Sequence, residues 1–230
     1  MLLFLMSCLL SMDVSNEAAS VSIENTGLPS CGQKLNVGMS SSVQIGFSVK
    51  DQGSGWGSGN YMKLGKYRFI ITAAHVVSEG EIFIMNGDTV VPLKIVYNNP
   101  ERDIAIVVPL GDVPATAKHL KINKSPDLEG TPTNYTGYPS DMGKSVYSGM
   151  VSKSSEKAAL IQSFALPGSS GSVVFDNKGR AIGIVSAVKL LQNPFSPYPE
   201  LVETVVYVER FTFINKRFLK EVFVSAATGE

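Results

Sequence analysis

From residue 43 onward, short apolar runs alternate with clusters of turn-forming residues. The runs are rich in Val, Ile, Phe and Tyr, and many of them alternate apolar with polar positions, which is typical of β-strands. A Gly/Ser-rich stretch at residues 52–60 indicates a loop. The pattern predicts strands at residues 43–49, 67–74, 81–85, 89–97, 103–110, 131–139, 145–154, 158–165, 171–177, 181–188 and 203–209.

The predicted strands form two groups, which are separated by residues 111–130. No internal repeat and no alternation of strands with helices is visible, so a parallel sheet is not expected. Two antiparallel six-stranded β-barrels joined by a linker fit this pattern, and a β-sandwich would show a similar strand count. Apolar and charged residues at helical spacing in 213–223 predict a short C-terminal helix. The fold class is therefore all-β.

The chain divides into five predicted parts. Residues 1–20 are a candidate export signal or anchor, and residues 21–42 are a linker or arm. Residues 43–118 form the first barrel, residues 119–212 the second, and residues 213–230 the C-terminal helix and tail.

The first twelve residues are apolar and uncharged, too short to cross a bilayer but suited to the apolar part of an export signal. We therefore expect export to the periplasm, the outside or a membrane surface, although no Lys or Arg precedes the apolar run. The stretch Leu5 to Cys8 loosely resembles a lipoprotein cleavage box, so lipidation of Cys8 is one route to membrane attachment. A buried or fraying N-terminal segment of a cytosolic or virion-associated protein is the alternative.

The composition excludes several classes of function. Twenty basic residues balance twenty acidic ones and no basic block is present, so we expect no nucleic-acid partner. The two cysteines, Cys8 and Cys31, lack the spacing of zinc ligands and cannot staple a fold. No phosphate loop or dinucleotide fingerprint appears, so we expect no metal and no organic cofactor.

Three residues are candidates for acyl-transfer chemistry. His75 follows an apolar strand and two small alanines, which leave room beside its imidazole for a substrate. Asp103 stands at the lip of an apolar strand, where its carboxylate can accept a hydrogen bond from a histidine and fix its tautomer. Seen alone, His75 is more often a half-buried turn histidine, and Asp103 reads equally well as a strand-capping residue.

The third candidate is Ser170, in the turn Pro167-Gly168-Ser169-Ser170-Gly171. A glycine-containing turn allows backbone N–H groups to converge on one point while the serine hydroxyl projects, as oxyanion stabilisation requires. We expect Gly168, Ser169 and Ser170 to form an oxyanion hole, with the N–H groups of Gly168 and Ser170 as its donors. Gly/Ser turns are common, so the order His75, Asp103, Ser170 carries more weight, because it is the chain order of chymotrypsin-like enzymes.

From about residue 43 to residue 213 the sequence resembles the protease domain of the Do/HtrA-type serine proteases, a branch of the trypsin-like superfamily. The resemblance implies a chymotrypsin-like fold, a His75–Asp103–Ser170 triad and polypeptide substrates. We expect no PDZ domain, since only 17 residues follow Phe213. Four segments carry the resemblance: GSGWGSGNYMKLGKYRFIITAAHVV (53–77), NGDTVVPLKIVYNNPERDIAIV (86–107), GYPSDMGKSVYSGMVS (137–152) and IQSFALPGSSGSVVFDNKGRAIGIVSA (161–187).

The sequence departs from the family pattern at Ser169, where the family usually has Asn and digestive trypsins have Asp. Without an acid at this position a new N-terminal ammonium has no partner, so activation in the manner of trypsinogen is not expected. Ser172 replaces a common glycine. Whether residues 20–42 support oligomers is open.

Four residues are expected to bind substrate. Phe164 stands where a trypsin-like pocket has an acid, so cleavage after Lys or Arg is disfavoured. Ala187 and Val188 should narrow the pocket entrance, and Ser186 should place its backbone against an extended substrate. The sequence thus predicts a serine endopeptidase that cleaves after small or medium aliphatic residues. The alternatives are a protease-like fold used as a non-catalytic binding or structural module, and an esterase that uses the same triad.

Overall fold

The computed structural model describes residues 38–49, 53–78, 80–86, 89–192 and 199–228. The predicted export signal or anchor at residues 1–20 and most of the predicted linker at 21–42 lie outside these ranges. The described residues form two closed six-stranded antiparallel β-barrels followed by one helix. This confirms the predicted fold class and rules out the sandwich.

The first barrel closes because its first two strands pair with each other, Ser42 opposite Asn60 and Val49 opposite Gly53. Around the barrel the strands follow the order β1-β4-β5-β6-β3-β2. A two-residue strand, β7 (Lys118–His119), adds to β2 in parallel. The barrel strands are β1 (Ser42–Val49), β2 (Gly53–Leu64), β3 (Tyr67–Thr72), β4 (Glu81–Asn86), β5 (Thr89–Asn99) and β6 (Ile104–Pro109).

The second barrel has the strand order β10-β13-β12-β11-β8-β9 and is also closed. Closure leaves neither barrel with a free strand edge along which chains could aggregate. Its strands are β8 (Pro132–Gly137), β9 (Ser145–Ser154), β10 (Ala158–Gln162), β11 (Val173–Asp176), β12 (Ala181–Gln192) and β13 (Pro199–Glu209).

Each barrel encloses its own apolar core. In the first, side chains such as Ile45, Phe69 and Ile106 are fully buried, and the cluster continues into the face of the second barrel through Val173 and Phe175. Burying a side chain of this size contributes roughly 1.5–3 kcal/mol. The core of the second barrel is formed by Leu128, Tyr135, Val151, Ala159, Ile161, Ala165, Val174, Ile182, Val185, Val206 and Val208.

The Gly/Ser stretch at residues 52–60 is largely a strand, so the predicted loop is wrong there: Gly53 opens β2. The glycines are needed for close contacts across the barrel. A Cβ on Gly55 would lie 2.4 Å from the Phe47 ring, and one on Gly57 would lie 2.6 Å from Val76. Packing in the barrel therefore overrides the weak strand propensity of glycine.

The C-terminal helix, α1 (Lys216–Thr228), packs back on the first barrel. Asn215 caps it, since its side-chain oxygen accepts hydrogen bonds from the N–H groups of Arg217 (2.9 Å) and Phe218 (3.0 Å). Its buried face includes Leu219, and Phe218 meets Tyr97 of β5 edge-on at 5.1 Å. Within the described ranges, no helix has the length and apolarity that a membrane crossing needs.

Candidate active site

His75 lies in a short 3₁₀ turn, Ala74–Val76, that follows β3. Its Nδ1 is 2.9 Å from both carboxylate oxygens of Asp103, and its backbone N–H donates to Oδ1 of Asp103 at 2.9 Å. Half of the His75 side chain is exposed, whereas only 22% of the Asp103 side chain is. This arrangement holds the Nδ1 side of the imidazole against the acid.

Asp103 owes its position to a second 3₁₀ turn, Pro100–Arg102, between β5 and β6. The Asn99 side chain caps this turn by accepting a hydrogen bond from the Arg102 N–H at 3.0 Å. Asp103 itself has φ 47°, in the left-handed region that non-glycine residues rarely occupy. Such strain persists only where the surroundings enforce it, and it is typical of functional sites.

The Asp103 carboxylate has a further donor that sequence reasoning missed. Ser186 of β12 donates its hydroxyl hydrogen to Oδ2 of Asp103 at 2.5 Å, although the sequence predicted only a backbone role for Ser186. Burial alone would raise the pKa of Asp103, but the hydrogen bonds from His75 and Ser186 outweigh burial and hold the pKa below its ordinary value. The carboxylate is therefore ionised at neutral pH.

Ser170 lies in the loop that leads into β11, across the barrel interface from His75. Its carbonyl oxygen accepts a hydrogen bond from the Ser58 N–H at 2.8 Å. Gly57 lies between the two segments, because a Cβ on it would be 2.6 Å from Val76 and 3.2 Å from the Ser170 carbonyl oxygen. Among the described residues no hydrogen bond joins Ser170 Oγ to His75 Nε2, and catalytic hydrogen bonds are often long before substrate binds.

The turn before Ser170 has Pro167 and Gly168 at its centre and is closed by the Ser169 N–H, which donates to the Leu166 carbonyl at 2.9 Å. Gly168 has φ 92°, which favours glycine at this position of a type II turn. The Ser169 hydroxyl accepts a hydrogen bond from the Leu166 N–H at 3.2 Å. In the described part of the chain, neither the Gly168 N–H nor the Ser170 N–H has an acceptor, so both are available to a ligand.

Two cavities are lined by residues of the turn that bears Ser170. One, of about 320 Å³, includes four of the predicted site residues, Ser169, Ser170, Ala187 and Val188. The other, of about 380 Å³, includes Gly168. The first is lined by Ala165, Leu166, Pro167, Ser169, Ser170, Val185, Ala187 and Val188. The second is lined by Gly55, Trp56, Ser140, Pro167 and Gly168.

Phe164 does not line the 320 Å³ cavity. Its ring centroid lies 6.2 Å from that of Tyr147, its carbonyl accepts a hydrogen bond from the Tyr135 hydroxyl, and 40% of the residue is exposed. Ala165 and Leu166, the two residues after it, line this cavity instead. No group of three or more acidic, histidine or cysteine side chains suited to a metal ion occurs within the described ranges.

The two barrels, with the His75–Asp103 pair on one side and the Ser170 turn on the other, define the class of chymotrypsin-like folds. The sequence profile of the trypsin-like peptidase domain matches residues 46–184, more than half of the 230 residues. The chain therefore belongs to the trypsin-like peptidase family. No curated protein matches the sequence.

Solved structures of proteases share the fold. The serine endoprotease from Yersinia pestis has a TM-score of 0.61 and 18% identity over 83% of this chain and 65% of that one. The active form of the Rv3671c protease from M. tuberculosis has a TM-score of 0.62 and 16% identity over 86% and 89%. The HtrA-type protease AlgW with tripeptide has a TM-score of 0.60 and 22% identity over 86% and 63%. The chain thus spans less than two thirds of the first and third of these proteins.

Proposed function

We propose that the protein is a serine endopeptidase in which Ser170 is the nucleophile, His75 the general base and Asp103 the residue that orients His75. The observation that carries the proposal is the pairing of His75 Nδ1 with both oxygens of Asp103 at 2.9 Å, next to the glycine turn that bears Ser170. Membership of the trypsin-like peptidase family supports this assignment and implies polypeptide substrates.

In the proposed reaction, Nδ1–H of His75 donates to Asp103, which leaves Nε2 free to accept a proton. Ser170 Oγ attacks the peptide carbonyl carbon while its proton passes to Nε2. The imidazolium then gives this proton to the leaving amine as the C–N bond breaks. Water then attacks the acyl carbonyl carbon and gives a proton to Nε2 of His75. His75 passes this proton to Ser170 Oγ as the C–Oγ bond breaks and the carboxylic acid product leaves.

The charge that develops on the carbonyl oxygen during attack needs donors that are already in place. The N–H groups of Gly168 and Ser170 suit this role, because both belong to the turn of the nucleophile and neither has an acceptor within the described residues. Ser169 contributes to this hole by holding the turn, through its N–H and its hydroxyl, both bonded to Leu166.

Substrate would add as an extended strand beside Ser186, Ala187 and Val188 of β12, with its P1 side chain in the 320 Å³ cavity. The side chains of Ala165, Leu166, Val185 and Val188 make the walls of this cavity apolar, so we propose a small or medium aliphatic P1 residue. A peptide library that varies P1 among Ala, Val, Leu, Phe and Lys tests this preference. Efficient cleavage after Lys would contradict it.

The first test is labelling by a fluorophosphonate, which reacts with serines activated by a neighbouring base. We expect one adduct on the wild-type protein and none on Ser170→Ala, measured by intact mass. Ser152→Ala is the control, because Ser152 is exposed on β9, where its hydroxyl binds only the Leu160 carbonyl. This variant should label like the wild type.

A folded wild-type protein that never labels would contradict the proposal and favour the alternative of a non-catalytic binding module. Hydrolysis of ester substrates with peptides left intact would indicate an esterase instead.

A further inference from the structure

Ser58 of β2 contacts the turn of the proposed nucleophile from the opposite barrel. It is completely buried, and sequence reasoning gave it no role beyond membership of the Gly-Ser-Gly run at residues 57–59. Its carbonyl oxygen accepts a hydrogen bond from the Thr72 hydroxyl at 2.7 Å, which anchors it to β3 in the core of the first barrel.

Three hydrogen bonds connect Ser58 to the second barrel. Its N–H donates to the Ser170 carbonyl at 2.8 Å. Its hydroxyl donates to the Gly168 carbonyl at 2.7 Å and accepts from the Tyr138 N–H at 2.8 Å. A serine hydroxyl has one hydrogen to donate, so its donor capacity is spent on Gly168.

These contacts set the orientation of the peptide planes in the turn. In a trans peptide the C=O and N–H groups point in opposite directions, so fixing a carbonyl also fixes the following N–H. The Pro167 carbonyl accepts from the Ser140 N–H at 2.8 Å, which directs the Gly168 N–H away from Ser140. The Gly168 carbonyl is held by Ser58, and the Ser169 carbonyl accepts from the Ser172 N–H at 3.1 Å.

The central peptide, between Gly168 and Ser169, is thus the one held by a side chain from the other barrel. This peptide shares the Cα atoms of Gly168 and Ser169 with the two flanking peptides, whose N–H groups on Gly168 and Ser170 are the proposed oxyanion donors, so releasing it loosens the turn that positions both. Glycine at 168 makes rotation of this peptide easy, because it has no Cβ to oppose it. The Gly168–Ser169 peptide is therefore held by a neutral hydroxyl, that of Ser58, and the adjacent side chain, Ser169, is also uncharged.

We propose that Ser58 is a positioning residue that holds the turn at Gly168–Ser170 in the conformation that stabilises the oxyanion. This inference rests on the proposed peptidase function. It predicts a loss in kcat rather than in substrate binding, because oxyanion donors act mainly on the transition state.

The test compares Ser58→Ala with a matched control, Ser42→Ala. Ser42 is also a buried serine of the first barrel, and its hydroxyl also donates to a carbonyl of the second barrel, that of Thr136 at 3.1 Å. It makes no contact with the turn of Ser170. Ser58→Ala therefore loses two buried bonds between the barrels, to the Gly168 carbonyl and from the Tyr138 N–H, and Ser42→Ala loses one. Only Ser58→Ala loses a bond to the turn.

Kinetics on a cleaved peptide should separate the two variants, with the active fraction counted by fluorophosphonate adducts. For Ser58→Ala we expect kcat per active site to fall about tenfold or more, with KM within twofold of the wild type. For Ser42→Ala we expect both constants within twofold, with a smaller fall in Tm because only one buried hydrogen bond is lost. Equal kcat in the two variants would overturn the inference, since a purely structural serine lowers only the folded fraction.

Hydrogen–deuterium exchange of the peptide covering residues 166–172 provides a measurement that does not depend on catalysis. We expect faster exchange there in Ser58→Ala than in Ser42→Ala or the wild type, and unchanged exchange would overturn the inference. If the wild type neither labels nor cleaves, the peptidase proposal fails, while exchange still decides whether Ser58 holds the turn. Should Ser58→Ala fail to fold, Ser58→Cys keeps a side chain of similar size with a much weaker donor and should show the same pattern.

Discussion

Asp103 collects three donors on one carboxylate: the N–H and Nδ1 of His75, and the hydroxyl of Ser186. Hydrogen bonds to an ionised group are stronger than those between neutral groups. They favour the charged form of the carboxyl, which is the form that stabilises an imidazolium on His75 during catalysis.

Replacing Ser186 by Ala should therefore lower stability by an amount that depends on pH. A carboxyl whose folded pKa is depressed stabilises the fold above its unfolded pKa, near 3.8, and this contribution is lost as pH falls through the folded value. At pH 7 we expect Ser186→Ala to be about 1 kcal/mol less stable than the wild type. The difference should shrink towards pH 3, as measured by urea unfolding. A difference that is the same at pH 3 and pH 7 would contradict the prediction.

Some site residues could be predicted from the sequence and others could not. The difference is whether the evidence for a residue lies in the neighbouring sequence or in a distant part of the chain. His75, Asp103 and Ser170 stand in recognisable segments, and the structure pairs the first two. Ser186 and Ser58 act through hydroxyl groups whose partners are 83 and 110 residues away along the chain. Neighbouring residues cannot indicate such a partner, because only closure of the barrels brings it near.

At the scale of elements, the strand β2 shows a limit of predicting strands from the pattern of apolar and polar residues. Alternating apolar residues predicted most strands, including β9 at residues 145–154 with both ends. Strand propensity did not predict the first half of β2, because its glycines are there to leave space for Phe47 and Val76 on neighbouring elements. The requirement for glycine arises from tertiary packing, which a local pattern does not contain.

In the turn that leads into β11, both the backbone conformation and the close packing require glycine at position 171. It has φ 87°, and a Cβ there would lie 2.1 Å from the Ser58 carbonyl oxygen and 2.3 Å from the Thr72 hydroxyl. We expect Gly171→Ala to lower the free energy of unfolding by about 3 kcal/mol or more, because backbone strain and a steric clash add. Urea unfolding measures this.

Gly130→Ala is the matched control for this element. Gly130 also has a positive φ, 75°, but a Cβ there would meet nothing within 4 Å. It should therefore cost only about 1 kcal/mol, the strain of a left-handed alanine. Equal losses in the two variants would show that close packing around Gly171 adds nothing.

At the scale of the whole molecule, one ion pair crosses between the barrels beside the proposed active site. Arg102, in the turn before β6, pairs with Glu209 at the end of β13 at 2.9 Å. The Glu209 side chain is only 9% exposed, and burial raises the pKa of Glu209 even though Arg102 opposes this shift. The Arg102 guanidinium also lies 4.8 Å from the centre of the Phe213 ring, near the start of the C-terminal segment.

Removing Arg102 should leave a carboxylate buried without a cation. We expect Arg102→Ala to lose about 3 kcal/mol of stability at pH 7. Because the pKa of Glu209 would rise further, the variant should regain stability as pH falls and the carboxyl is protonated. Thermal or urea unfolding between pH 7 and pH 4 measures both effects.

The double variant Arg102→Ala/Glu209→Gln tests the cause. It lacks both charges of this pair, so at pH 7 it should be more stable than Arg102→Ala alone and should lack the recovery at acidic pH. If the double variant were the less stable of the two, burial of the Glu209 charge would not explain the loss.

The two-barrel architecture follows from the order and grouping of the predicted strands, which is why the sequence was enough to predict it. The parallel strand β7 and the docking of α1 on β5 were not predicted. Two residues of β7 are too few to produce a pattern, and the docking depends on aromatic contacts such as Tyr97 with Phe218. Both features connect elements that are distant in the sequence.

The cavity of about 380 Å³ is lined by Gly168 and by Trp56, the one tryptophan of the chain. The residue is 42% exposed, and its Nε1 would lie 3.0 Å from a Cβ on Gly168. Fluorescence excited at the indole band therefore arises from a single site, beside the turn that precedes Ser170. The fluorescence of Trp56 can therefore report binding. An unlabelled peptide that occupies this cavity should change the Trp56 emission directly, without a dye and without turnover.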